Sequence, residues 1–163
     1  MSITLEFDVK TTVSPPSRRW PLPAQPLRVS GAVTTTRDLD FALLARFSQQ
    51  VMLPLPVLAG HELVAVPLRS VLALAGMAEK ARSLVIESDS GLRALPLDAV
   101  DRMGLVYRIG RVPLPYGLGG PFRLMTCAGG TGKLEDIKYV TRLWVSDRRY
   151  STTPARGVTA SAR

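Results

Sequence analysis

The spacing of apolar and polar residues predicts a chain made mostly of short strands. Apolar side chains alternate with polar ones over residues 3–9, which is the period of a strand with one buried face. Six further strands are predicted, at 27–33, 51–58, 83–87, 105–109, 122–127 and 137–145. In the last of these, one face of the strand is expected to carry Ile137, Tyr139, Thr141, Leu143 and Val145.

Apolar residues spaced three to four apart predict helices at three places. Thr36 or Asp38 is a candidate cap for a short helix, whose apolar face would consist of Leu39, Leu43, Leu44 and Phe47. A second helix is predicted to begin at Pro67 and end at Gly76, with an apolar stripe formed by Leu68, Val71, Leu72 and Ala75. Residues 96–102 predict one or two further helical turns. Many short strands with a few short helices indicate an α+β fold that is mostly β.

Prolines mark two extended segments. Residues 10–27 contain five prolines, with Arg18, Arg19 and Trp20 between them. This arm is either a proline-rich ligand for a recognition domain or a strap over its own domain anchored by Trp20. We favour the strap, because the Pro23–Pro26 pair lacks a flanking basic residue at the position usual in proline-rich ligands. In 51–58, the prolines confine the predicted strand to a sheet edge or a loop.

The composition fits one globular domain. The chain has 163 residues, 46% of them hydrophobic, which is enough to bury one core. Cys127 is the only cysteine, which excludes a disulfide framework or a multi-cysteine metal site within one chain. No apolar run approaches the roughly 20 residues that cross a bilayer, and the first eight residues lack the pattern of a secretory signal. We therefore expect a cytoplasmic protein without membrane contact.

Positive charge is concentrated in the second half of the chain, within a formal net charge of +8. Residues 1–92 hold nine Lys/Arg and eight Asp/Glu, a balance of +1, whereas residues 93–163 hold twelve and five, a balance of +7. This asymmetry favours an anionic partner such as a phosphorylated small molecule, a nucleic acid or an acidic protein face; a surface that serves solubility alone is the alternative. Aromatic and basic residues are not interleaved as in base-stacking platforms, so specific nucleic-acid binding is not expected.

The usual catalytic and metal-binding motifs are not found, so we predict no catalytic residue and no metal ligand. His61 is the single histidine, and it lies in a predicted loop without a nucleophile-elbow sequence elsewhere. The paired carboxylates are typical of helix starts and loops rather than of acid/base catalysis; they are Asp38/Asp40, Asp98/Asp101 and Glu135/Asp136.

The glycine-rich segment 127–133 indicates a weak anion site. Its order of strand, glycines and lysine is that of a phosphate loop, but Cys127 stands where such a loop needs glycine and Leu134 where it needs Ser or Thr. Backbone N–H groups could still converge on an anion beside Lys133; they belong to Gly129, Gly130, Thr131 and Gly132. The alternative is an ordinary glycine-rich turn between strands.

Residues 105–125 and 137–145 together resemble the molybdopterin-binding domain of the sulfite oxidase family. The first run reads Leu-Val-Tyr-Arg-Ile-Gly-Arg-Val-Pro-Leu-Pro-Tyr-Gly-Leu-Gly-Gly-Pro-Phe-Arg-Leu-Met, and the second reads Ile-Lys-Tyr-Val-Thr-Arg-Leu-Trp-Val. In the family, a turn to Pro-Leu-Pro precedes a Gly-Gly-Pro-x-Arg-Leu strand, a Gly-x-Lys/Arg loop and a Val-Lys-Trp-x-x-Arg strand. Upstream segments follow in the same order, so the resemblance covers about residues 22–147.

The resemblance implies a sulfite-oxidase-like molybdopterin-binding fold of mixed sheets and a pocket for an anionic pterin. By position, Arg123 and Lys138 match the family's phosphate- and pterin-contacting basic residues, and Lys133 matches a third approximately. Charge-assisted hydrogen bonds from such groups suit the cofactor's phosphate. We therefore expect cofactor contacts from Arg123, Lys133 and Lys138 and from the loop residues Gly130, Thr131 and Gly132.

Departures from the family's pattern argue against its usual chemistry. The molybdenum-ligating cysteine belongs near the end of 51–58, where this chain has no thiol, and proline or leucine cannot replace a soft thiolate. Leu118 stands where many members have histidine, and Arg108 replaces a common glutamate. Cys127, on another strand, is expected to be a small core residue.

The leading hypothesis is thus an oxidoreductase-like domain that binds molybdopterin or a similar phosphorylated ligand without cysteine-ligated molybdenum chemistry. Whether it is an enzyme stays open, and no heme is expected. The alternative is a non-catalytic scaffold or protein-interaction module that keeps the fold without the cofactor. The predicted organisation is an N-terminal strand and proline-rich arm at 1–21, the molybdopterin-binding-like domain at 22–147 and a disordered basic tail at 148–163.

Overall fold

The structure is a computed structural model that describes residues 25–54, 61–127 and 135–150. Within these ranges the strands are β1 (Leu27–Gly31), β2 (Arg37–Leu39), β3 (Val51–Pro54), β4 (Glu62–Pro67), β5 (Ser83–Ser88), β6 (Gly91–Pro96), β7 (Met103–Ile109), β8 (Val112–Pro113), β9 (Arg123–Thr126), β10 (Asp136–Ile137) and β11 (Val140–Ser146). The helices are α1 (Phe41–Leu44), α2 (Leu68–Ala75), α3 (Leu97–Val100) and a 3-10 turn at Tyr116–Leu118. In the described part of the chain, no helix combines the length and the apolar character needed to span a membrane.

The strands form two sheets. The first sheet has the order β2-β1-β11-β5-β6 and is mixed, because β1 pairs in parallel with β11 while its other pairs are antiparallel. The second sheet has the antiparallel order β10-β9-β7-β4-β3, and β8 pairs with β7 outside this path. The predicted α+β, mostly β class with mixed sheets and a few short helices is therefore confirmed.

The main core lies between the sheets and α2. Leu143 and Leu84 from the first sheet and Leu105 and Leu124 from the second are fully buried in one cluster. The predicted stripe of α2 is buried against both sheets, and Gly76 ends the helix with a positive φ of 73°. These predictions for α2 are confirmed.

A smaller core covers the other side of the second sheet. Leu63 and Ala65 of β4 pack there with Val106, Ile109 and Leu114. The intervening β4 residues face the main core, so β4 is buried on both sides, which explains its nearly continuous apolar run. At the sheet edge, β3 pairs only with β4 among the described residues, as its proline predicted.

The helix expected after Thr36 or Asp38 begins later than predicted. Residues 37–39 form β2, and the cap of α1 is Asp40, whose Oδ1 accepts a hydrogen bond of 2.8 Å from the Leu43 N–H. Asp38 instead pairs with Arg28 across β1 and β2. Residues 37–39 thus pair with β1 as a strand, although the local sequence predicted that they begin a helix.

The prediction of a single strand at 137–145 is wrong, because this stretch contributes strands to both sheets. Residues 136–137 form β10 in the second sheet, and β11 in the first sheet starts at Val140. Tyr139 between them has a φ of 57°. A register irregularity follows between Val140 and Arg142, so Thr141 is exposed and does not share the buried face.

Strand β6 was not among the predicted strands. It pairs with β5 in an antiparallel hairpin, whose turn lies at residues 89–90. The predictions for 3–9, for 10–24 of the proline-rich arm, for 55–58 and for 151–163 lie outside the described residues. Arg148 is described, and its carbonyl accepts a 2.5 Å hydrogen bond from the Ser83 hydroxyl.

Candidate anion-binding site

Gly119 lies at the centre of the region that the family resemblance singled out. It ends the 3-10 turn with a φ of 91°, and its N–H donates to the Tyr116 carbonyl at 2.9 Å. A Cβ added here would lie 2.7 Å from Lys138 Cγ and 3.2 Å from Arg123 Cδ. The structure therefore brings two of the predicted basic residues against the same glycine.

Backbone hydrogen bonds hold the two segments together at this glycine. The Tyr139 N–H donates to the Gly119 carbonyl at 2.8 Å, and the Val140 N–H donates to the Phe122 carbonyl at 2.9 Å. The rings of Tyr139 and Tyr116 stack with their centroids 4.4 Å apart. Lys138 is thus fixed at its backbone while its side chain remains exposed.

Arg123 is held by an internal carboxylate. Its side chain is 11% exposed, and its Nε and Nη2 each donate to an oxygen of Asp136 at 2.7 Å. Nη1 donates to the Leu118 carbonyl at 3.0 Å. This bidentate geometry is the strong form of an Arg–carboxylate pair.

The charges at this site are coupled. Hydrogen bonding from Arg123 lowers the pKa of Asp136, and the positive charge of Lys138 adds to that lowering. Burial acts in the opposite direction but does not prevail. Asp136 is therefore ionised at neutral pH, and it neutralises Arg123, one of the three cations that the family resemblance assigned to a ligand.

Lys138 borders an open cleft that Arg123 does not line. The cleft has a volume of about 460 Å³ and lies between the β5–β6 turn and residues 136–139. Arg93 also lines it, with its Nη2 2.7 Å from Glu135 Oε2. Lys138 contributes an exposed ammonium to this cleft, and Asp89 and Asp136 contribute carboxylates. We call it the Lys138 cleft.

The remaining predicted contacts lie outside the described residues. Gly130, Thr131, Gly132 and Lys133 belong to 128–134, about which the structure says nothing. The flanks of this segment are described and paired, since the Thr126 N–H donates to the Glu135 carbonyl at 2.9 Å. Their roles stay predictions.

Cys127 is half-buried on the second sheet. Its Sγ lies over Gly104, where an added Cβ would come within 2.5 Å of it, and it packs with the smaller core. Burial raises the pKa of the thiol, which keeps it protonated and weakly nucleophilic. Cys127 therefore has the packing role that the sequence predicted, with part of its surface exposed.

The two other departures from the family's pattern also make internal contacts. Leu118 packs against the smaller core. Arg108 donates from Nε to the Tyr107 hydroxyl at 3.0 Å and from Nη1 to the Gly110 carbonyl at 3.0 Å. The Tyr107 hydroxyl in turn donates to Gln50 Oε1 at 2.8 Å. Arg108 thus stabilises the strand ends around it.

Acid/base and metal constellations are not found in the part of the chain that the structure describes. No group of three or more His, Cys, Asp or Glu side chains there could hold a metal ion, and His61 is exposed. The described carboxylates include Asp38, Asp101 and Asp136, each in an ion pair with an arginine.

Sequence reasoning missed two features that shape the site. Asp136 was interpreted only as a loop carboxylate, and Gly119 only as part of a motif. The ion pair between Asp136 and Arg123 leaves no periodic pattern in the sequence. The two residues meet only because β10 pairs with β9 in one particular register. Neighbouring glycines at 119 and 120 did signal a close backbone approach.

Comparisons with known proteins support the fold. No protein-family model and no curated protein matches the chain. Among solved structures, the chain is similar to the sulfane dehydrogenase SoxCD from Paracoccus pantotrophus, with a TM-score of 0.57 and 23% identity. The match covers 76% of this chain and 38% of that one. The two chains share a fold, which agrees with the sulfite-oxidase-like fold predicted from the sequence.

Proposed function

We propose that this domain binds an anionic ligand, a molybdopterin-type pterin or a similar phosphorylated molecule, at the Lys138 cleft. The observation that carries the proposal is the placement of Lys138, whose alkyl chain lies against Gly119 and whose exposed ammonium borders a cleft of about 460 Å³. An ammonium is a compact donor that suits a phosphate oxygen. Lys133 would add a second cation.

The residues present fit the anionic part of such a cofactor. Lys138 would hold the phosphate, Tyr139 would border the ring, and Arg123 would support the site through its contact with Gly119. When bound, molybdopterin would supply the redox chemistry of its metal. This chain's residues would position the group and balance its charge.

The residues do not fit cysteine-ligated molybdenum. Cys127 has its thiol packed over Gly104 with a raised pKa, whereas a metal ligand must be a thiolate. The residues at 55–58, where the family's cysteine belongs, contain no thiol. We therefore propose binding without the thiolate-dependent chemistry of the family.

A second function is favoured by one observation. Asp136 already accepts hydrogen bonds from two donors of Arg123. An internal carboxylate thus takes the place that an external anion would have in a ligand-binding pocket. A non-catalytic scaffold that keeps the fold accounts for this pair directly.

Analysis of bound pterin and molybdenum separates the two functions. The protein would be purified from a host that makes molybdopterin, as wild type, Lys138→Ala and Lys80→Ala. Lys80 is a matched control because its side chain is 71% exposed and has only a 3.9 Å ion pair. We expect pterin in the wild type and in Lys80→Ala and a marked loss in Lys138→Ala. Pterin-free wild type that also fails to bind pyrophosphate would favour the scaffold.

A further inference from the structure

The side of the first sheet that faces away from the second carries an apolar patch. Strand register places Trp144 of β11 opposite Val85 of β5, and Val85 opposite Ala94 of β6. Leu92 lies on the same face of β6, two residues from Ala94. Trp144 is 46% exposed and Leu92 is 75% exposed. A depression of about 460 Å³ separates these two side chains, so the patch could receive an apolar group.

This depression continues toward the point where the described chain begins. A second depression of about 300 Å³ is lined by Gln25 and Pro26, and both depressions include Glu87 and Arg142 in their walls. Arg142 Nε lies 3.7 Å from Glu87 Oε2, so their charges balance. We call the two joined depressions the outer groove; it runs from Gln25 to the apolar patch beside Trp144.

The segment that precedes Gln25 has the length and the chemistry to fill this groove. Residues 1–24 lie outside the described residues, and they include Trp20 followed by Pro21 and Pro23. Extended proline-rich chain advances about 3.1 Å per residue, so the five steps from Trp20 to Gln25 would reach about 15 Å. Strand spacing and rise put the middle of the apolar patch about 16 Å from Gln25. The two lengths agree.

We propose that the outer groove is the docking site for residues 1–24 of the same chain, with Trp20 seated between Trp144 and Leu92. The groove starts at the residues that join this segment to β1, and its floor is neutralised by an internal ion pair. An indole suits such a site because it buries a large apolar area. Ser88, Gly91 and Leu92 line both the outer groove and the Lys138 cleft, but this inference requires no ligand in that cleft and no cofactor.

Fluorescence of Trp20 tests the proposal, because Trp20 and Trp144 are the only tryptophans. Trp144→Phe keeps an aromatic ring on the patch and leaves Trp20 as the single reporter. We expect its emission to be blue-shifted and protected from acrylamide compared with the protein in urea. Adding Leu92→Glu should shift the emission to the red and remove the protection. Met52→Glu, at a 62% exposed position on β3, is the matched control and should change neither.

Trypsin cleavage provides a second measurement with both tryptophans in place. We expect Leu92→Glu, but not Met52→Glu, to speed cleavage after Arg18 and Arg19. Three results would overturn the proposal: Trp20 as accessible in the folded protein as in urea, protection that Leu92→Glu leaves intact, or protection lost on dilution to a monomer. The last would assign the groove to a second copy of the chain.

Discussion

Replacing Gly119 with alanine tests how the candidate site is assembled. Gly119 has a φ of 91°, a conformation that side-chain-bearing residues rarely adopt. The new methyl group would also lie 2.7 Å from Lys138 Cγ and 3.2 Å from Arg123 Cδ. Lys138 can move toward solvent, but Arg123 is held by Asp136, so the strain cannot be fully relieved.

Two costs add to give the expected magnitude. The left-handed backbone costs alanine about 1–2 kcal/mol, and crowding of packed side chains costs about 1–3 kcal/mol. We therefore expect Gly119→Ala to lower the free energy of unfolding by about 2–5 kcal/mol, toward the lower end if Lys138 moves away from the new methyl group.

Two other glycines provide matched controls. Gly110 has a φ of 54° but open space around its added Cβ, so Gly110→Ala should show only the backbone cost of about 1–2 kcal/mol. Gly117 has open space and no left-handed φ, so Gly117→Ala should stay within about 0.5 kcal/mol of the wild type. Urea unfolding of the three variants gives the comparison. A Gly119→Ala variant no less stable than Gly110→Ala would refute the packing of Lys138 and Arg123 against Gly119.

Three further predictions concern Asp136, Cys127 and the core. Asp136→Asn removes the counter-charge of buried Arg123. Because Asp136 itself is 43% exposed, we expect a cost of about 1–3 kcal/mol at neutral pH, which is less than for a fully buried pair. Arg123 lowers the pKa of Asp136, so this difference should be complete above about pH 4 and shrink as the pH falls further. A difference that does not change with pH would contradict the ion pair. Burial raises the pKa of Cys127, so iodoacetamide should alkylate it more slowly in the folded protein than in urea at equal pH, and equal rates would argue against its packed position. Leu72→Ala, at a fully buried position, should cost about 2–5 kcal/mol in urea unfolding, and a loss below about 1 kcal/mol would place α2 outside the core.

Elements with a local signal could be predicted from the sequence. The stripe of α2 and its stop at Gly76 follow from residue spacing and from the conformational freedom of glycine. The edge position of β3 follows from the missing N–H of its proline. In each case the structure of the element depends on residues close to it in the chain, so it can be predicted from the sequence.

Elements set by distant pairing could not be predicted in the same way. The division of 137–145 between two sheets depends on Tyr139 taking a φ of 57°, a conformation that tyrosine itself does not favour. Residues 91–96 give a weak strand signal because they include glycine and proline and no β-branched or aromatic residue. They form β6 because β5 pairs with them.

In the candidate site, too, some residues follow from a local sequence motif and others depend on the pairing of distant strands. The order of the motifs singled out Arg123 and Lys138, and the structure places both against Gly119; their role in binding stays a prediction. Asp136, the carboxylate that neutralises Arg123, could not be identified from the sequence, because its contact with Arg123 depends on the pairing of β9 with β10.

Titration with pyrophosphate, followed by the backbone amide resonances, tests the central claim that Lys138 and its surroundings hold an anion. In the wild type, we predict saturable shifts at Gly119, Lys138 and Tyr139, and in Lys80→Ala the same shifts. In Lys138→Ala they should be absent or require far more ligand. Shifts that are missing from these residues in the wild type, or that are equal in Lys138→Ala, would contradict the claim.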